Sequence, residues 1–248
     1  MFVRTALLCI ALGAAAFATA DAAPAAPLRS LTFAVVYTVT TMQDNHISGL
    51  TGDPNKTLGP QSGMSEQHGF AVDDSGTMRI DVIAATTDGG LVTDVAFDGK
   101  VTHQPVIRVA ITKDGRLLYD PKLALSMQAA RVLPLLARGM FGNRELAAGV
   151  SWSDPAAAPA HGATSYVVKS VDAPRVTVAV TTTIELAGPQ GFDEHDDGTL
   201  TFATDVLAPL RWDLLAHLRR GSVQGTEVTD SHLTATLTGD TFAKKPNG

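Results

Sequence analysis

The sequence predicts an α+β fold that is mainly β: a large curved antiparallel sheet, a half-barrel or an open barrel, wrapped on one central kinked helix. Three observations point there. Apolar and polar residues alternate with a period of two through most of the chain, the pattern of half-buried strands. Only residues 126–141, past the N-terminus, carry a helical pattern. The connections between the alternating segments are short and turn-like, so neighbouring strands should be antiparallel.

A mismatch of sizes supplies the curvature. About ten strands at ~4.8 Å spacing make a sheet ~48 Å across. A helix of about fifteen residues is ~22 Å long and ~10 Å wide, and covers two or three of them. The remaining apolar face would stand in water at ~25 cal/mol per Å². The sheet must therefore curl around the helix, close into a barrel, or be covered by a lipid or a protein. Long alternating strands also suit an outer-membrane barrel, but a central amphipathic helix and a final Lys-Lys-Pro-Asn-Gly argue against one.

The chain opens with a secretory pattern. Arg4 supplies the positive start, residues 6–17 an apolar run, and Ala18-Thr19-Ala20 a small-residue cleavage site. The run is short for a bilayer span, so residues 1–20 are expected to be a cleaved signal peptide that leaves no transmembrane segment. The destination is then periplasmic or extracellular. Cys9 follows Leu8 and precedes most of the apolar run, which does not fit a lipoprotein signal. Cleavage would remove the only cysteine, so no disulfide could form and stability must come from packing. Roughly 228 residues would remain, enough for one sizeable core. The full chain has 19 basic and 25 acidic side chains, a formal charge of −6. Nucleic acid is not an expected partner, because it wants clustered Lys and Arg, and only Arg219-Arg220 and Lys244-Lys245 approach that.

Residues 21–29 are Ala- and Pro-rich and read as a disordered leader to a single β-rich domain over 30–242, with 243–248 a flexible tail. The first strand is expected over 30–41, where Leu31, Phe33, Val35, Tyr37 and Val39 alternate with Thr32, Ala34, Val36, Thr38 and Thr40. Residues 43–64, rich in Gly and Pro, read as a long loop or covering flap. Strands are predicted over 65–72 and 77–86, split by a turn at Asp73-Asp74-Ser75-Gly76, then over 91–97, 106–112 and 117–119. Pro105 should mark a strand start or an edge.

In the helix, Ser126 is placed to cap the first free amides. Ala129, Leu133, Leu136 and Met140 form an apolar stripe with Val132 beside it, while Gln128, Arg131 and Arg138 share the opposite side. Pro134 should kink it, and Gly142-Asn143 end it. Trp152 reads as a core anchor followed by a surface connection over 153–162. Strands resume over 164–171 and 175–186, followed by an acidic loop over 188–198 and a strand over 199–207. Residues 210–218 fit a strand better than a helix, since Leu210, Trp212, Leu214, Ala216 and Leu218 alternate strictly. A last strand is expected over 225–238.

Motifs that carry chemistry are missing. The chain has no nucleophile elbow, no His-Glu-x-x-His, no phosphate loop and no dinucleotide glycine pattern, so no catalytic residue and no cofactor is assigned. His68, His103, His217 and His232 read as surface imidazoles. Asp193, His195 and Asp197 match the opening of a calcium loop, but Thr204 stands where a bidentate glutamate belongs, so no metal site is expected.

The function expected from this pattern is that of a non-catalytic envelope protein holding a hydrophobic ligand, a lipid or acyl chain, between sheet and helix. Val35, Tyr37, Leu133, Leu136, Met140 and Phe202 would line the site. The half-barrel of bacterial lipoprotein carriers is an analogy at the level of fold only, since no motif here matches them. An envelope scaffold docking on another protein is the alternative, and a hydrolase with a dispersed site ranks third.

Overall fold

The computed structural model describes residues 26–46, 65–137, 144–188, 191–222 and 225–242. The expected signal peptide, most of the long loop, Met140, the Gly142-Asn143 helix stop and the tail fall outside them. The elements in order are β1 (Arg29–His46), β2 (Ser65–Ala85), β3 (Leu91–Gly99), β4 (His103–Ile111) and β5 (Leu117–Leu118). Helix α1 (Met127–Val132) follows and runs into a 3₁₀ turn, Leu133–Leu136. Then come β6 (Ser151–Pro155), β7 (His161–Asp172), β8 (Arg175–Leu186), β9 (Phe192–Ala203), β10 (Ala208–Ser222) and β11 (Gly225–Asp240).

All eleven strands form one antiparallel sheet, ordered β5-β4-β3-β2-β1-β11-β10-β9-β8-β7-β6. The sheet is open, and the half-barrel wrapped on one helix predicted from the alternation is the observed architecture. Its two edges are the short strands β5 and β6, which pair with only two residues of β4 and five residues of β7. No helix among the described residues is long and apolar enough to cross a membrane.

The curvature has local causes. Register shifts interrupt the β1–β11, β2–β3, β3–β4, β7–β8 and β9–β10 ladders. Each such irregularity bends a strand and adds right-handed twist. Pro105 falls within the irregular step between the Val95–Ile107 and Phe97–Gln104 pairs, where a missing amide is tolerated. The concave face collects the buried residues of the long strands: Leu31, Phe33 and Val35 of β1, Met78 and Ile80 of β2, Val168 of β7, Val176 and Val178 of β8, Leu200 of β9, Trp212 and Leu214 of β10, Leu233 and Ala235 of β11. Ala129, Val132, Leu133 and Leu136 complete the same cluster from the helix side.

Several segments differ from the sequence expectation. Residues 73–76 are not a turn, because β2 runs through them unbroken. Their turn-like residues serve the neighbouring hairpin instead. Asp74 accepts the backbone N–H groups of Val101 and Thr102 at 3.0 and 3.1 Å. Gly76 lets β3 approach so closely that a Cβ there would lie 2.1 Å from the Asp98 carbonyl oxygen. The acidic stretch is likewise a strand: β9 pairs with β8 and β10 from Phe192 onward and ends at Ala203, before Leu207. Gly198 lies inside that strand rather than in a turn, and the Trp212 ring fills the space where a side chain would be, 2.5 Å from the position of its Cβ.

The helix is shorter than its apolar stripe suggests. Ser126 caps it, its Oγ accepting from the Ala129 N–H at 3.2 Å. The Leu133 N–H still reaches the Ala129 carbonyl, but Pro134 has no N–H to continue the ladder. The chain tightens into the 3₁₀ turn, and Ala137 is already extended. Pro134 therefore ends the α-helix rather than kinking it. At the strand ends, β1 continues to His46, four residues into the expected loop, and the surface connection expected over 153–162 begins inside β6. Trp152 is a partly buried edge residue stacked on Tyr166, with ring centroids 5.1 Å apart, and not a central anchor. Residues 210–218 are strand, as the strict alternation predicts.

Candidate functional site

The helical segment is small against the surface it sits on. Six α-helical and four 3₁₀ residues span ~17 Å at about 1.5 and 2.0 Å per residue. The eighteen residues of β1 span ~60 Å at about 3.3 Å each. The concave face therefore divides into a packed part under the helix and a part that extends past it.

The packed part holds most of the sequence-derived lining. Val35, Tyr37, Leu133, Leu136 and Phe202 belong to one buried cluster, so sheet and helix bring them together. Met140 lies outside the described residues. The extended part follows the same strands toward their other ends. Val39 and Thr41 of β1 continue the inward series of Val35 and Tyr37, and their partners across the β1–β2 ladder are Val72 and Phe70. Phe70 is 59 % exposed although it shares the concave register. On the opposite wall Ile184, Leu186, Phe192 and Leu218 are partly buried.

A polar band separates the two parts, and it is built by the side of α1 expected to face away from the core. Gln128 is buried, and its Nε2 donates to Asp74 Oδ2 at 3.4 Å. Arg131 reaches β9: Nη1 donates to Asp196 Oδ2 and Nη2 to Glu194 Oε1, both at 2.7 Å. The guanidinium is thus shared by two carboxylates on successive inward positions of one strand. With all three ionised the cluster carries a net charge of −1.

The electrostatics follow from burial and partners. Burial pushes the Asp74 carboxyl up, but hydrogen bonds from the Val101 N–H, the Thr102 hydroxyl and N–H and the Lys100 N–H together more than offset this, and its pKa lies below the ordinary value. Asp196 goes the other way, to about 6: burial is the main cause, Arg131 opposes it, and Glu194 adds to it. Its Oδ1 is buried with no hydrogen-bond partner. Burial also works against the charge on Arg131, yet Asp196 and Glu194 together hold its pKa above the ordinary arginine value.

The outer face is different in kind. Asp193, His195 and Asp197 alternate with Glu194 and Asp196 along β9 and are exposed, so their calcium-loop spacing lies along a strand. His195 pairs with Asp197 at 3.2 Å, His217 with Asp230 at 2.7 Å and His232 with Asp213 at 2.9 Å, around an outer groove of about 310 Å³. Among the described residues no group of three or more His, Cys, Asp or Glu is placed to hold a metal ion. His103, His217 and His232 are the surface imidazoles the sequence suggests.

Sequence reasoning does not find Asp74, Glu194, Asp196 or Phe70. A signal for β9 exists: Phe192, Leu200 and Phe202 share the parity of Glu194 and Asp196, which marks a strand with two acids on its apolar face. The chain matches no family model, and comparison with curated proteins finds no relative.

Proposed function

We propose that this is an exported, non-catalytic envelope protein that binds a hydrophobic ligand, a lipid or acyl chain, on the concave face beside the helix. One observation carries the reading. Among the described residues, concave positions outside the core cluster stay apolar past the helix, with Phe70 largely exposed and Val72, Ile184, Leu186, Phe192 and Leu218 partly so. An apolar surface kept inside a curved wall is the usual setting for an apolar guest.

A titration with a fluorescent fatty-acid analogue tests it, alongside native mass spectrometry of the protein purified from its own envelope. Wild type should take up the probe. Phe70→Asp should weaken uptake about tenfold or more without lowering thermal stability, because the side chain is mostly exposed. No uptake by wild type, together with a ligand-free mass, counts decisively against the proposal. Equal uptake by both proteins moves the site away from Phe70.

A further inference from the structure

Resting on that reading, we infer that the ligand is an amphiphile with a cationic, hydrogen-bond-donating head, such as a primary ammonium, seated on Glu194 and Asp196. The polar band of the concave face is not neutral. Two carboxylates face one guanidinium there, and the next cation along this face, Arg220 of β10, stands one inward position further out, opposite Phe192. The Asp196 side chain is only 4 % exposed, and its Oδ1 accepts no hydrogen bond. A buried carboxylate oxygen without a donor is a place where an N–H of a guest replaces nothing and satisfies an acceptor.

The approach runs over Glu194, whose side chain is 19 % exposed. Its cross-strand neighbours are Ile184 on β8 and Leu218 on β10. One position further out, Phe192 lies between Leu186 on β8 and Arg220 on β10. The carboxylates therefore sit deeper, and the rim carries apolar surface with Arg220 at its β10 end, so a guest would enter head first and leave its chain on Ile184, Leu186, Phe192 and Leu218. An anionic head would meet the same two carboxylates and be repelled, since Arg131 already divides its donors between them. An ammonium head would compete with Arg131 for Glu194 and Asp196, which ties occupancy to the hold of the helix on β9.

The experiment compares dodecylammonium, dodecanoate and dodecanol, each below its micelle-forming concentration, by calorimetric titration into the full chain at pH 7. Wild type should bind the amine about tenfold or more tightly than the acid or the alcohol. Glu194→Gln should weaken the amine until it binds no more tightly than the alcohol binds to the same variant. If acid or alcohol binds as well as the amine, the head-group inference is overturned and the hydrophobic site stands. If none of the three binds, the hydrophobic site itself is refuted. Should the variant fail to fold, the ranking in wild type decides alone.

Discussion

Replacing Arg131 by methionine tests whether the helix is held to the sheet by charge. The substitution keeps an unbranched stem of similar reach and removes the guanidinium from its two partners at 2.7 Å. Removing one member of a buried ion pair costs ~3–5 kcal/mol, because the other is left uncompensated. Arg131 is 26 % exposed, so the lower end, about 3 kcal/mol, is expected at pH 8. The loss should shrink on acidification. Asp196 titrates near 6 even with Arg131 beside it, and without Arg131 both remaining causes, burial and Glu194, push it higher. At pH 5 the variant can therefore hold a neutral carboxyl, and the deficit should fall to roughly 1 kcal/mol. Urea unfolding at the two pH values, followed by Trp152 and Trp212 fluorescence, reads this out. With a slope of about 2 kcal/mol per molar, the midpoint should drop by ~1.5 M at pH 8 and about a third of that at pH 5. A drop below ~0.3 M at pH 8, or equal drops at both, would refute the account of a buried two-carboxylate clasp.

Asp196→Asn isolates the other side of the same clasp. A carboxyl whose folded pKa is raised makes the protein less stable as pH climbs from its unfolded value to its folded one, here from 3.8 to about 6. Asparagine removes that loss, bounded at roughly 3 kcal/mol, while Glu194 still neutralises Arg131. The variant should match or exceed wild type at pH 8 and be relatively worse at pH 4, in paired urea titrations. Ser126→Ala removes the acceptor for the Ala129 N–H and should cost about 1 kcal/mol, measured the same way. Gly198→Ala drives a methyl into the Trp212 ring and should cost ~1–3 kcal/mol with a shift in tryptophan emission; an unchanged spectrum would mean the ring is not packed against Gly198.

Strands that bury one face were legible wherever the alternation met no competing local signal, as in β1, β8, β10 and β11. Two strands were misread for the same reason. Asp73-Asp74-Ser75-Gly76 and the residues around Asp193–Gly198 have the chemistry of turns, and only distant partners make them strands. For Asp74 those partners are amides 27 and 28 residues away, and for Glu194 and Asp196 a guanidinium 63 and 65 residues away. No local window contains them. The apolar lining was readable because hydrophobic burial is non-directional and follows from pattern alone. The polar band was not, because an ion pair depends on which element lies over which. Pro134 was recognised as a disruption, but whether a proline bends a helix or stops it depends on the packing that receives the next turn.

The first and last strands, β1 and β11, are neighbours at the centre of the sheet, and Arg29 and Asp240 meet at 2.6 Å across 211 positions of sequence. Synthesis delivers these two partners 211 residues apart. Each wing, β1 to β5 and β6 to β11, is a chain of neighbouring hairpins that can zip as it emerges, but the line joining them cannot close until the final strand arrives. Until then two long, sticky borders wait in the open. The structure thus implies a nascent form whose chief hazard is pairing with the wrong molecule along its own midline.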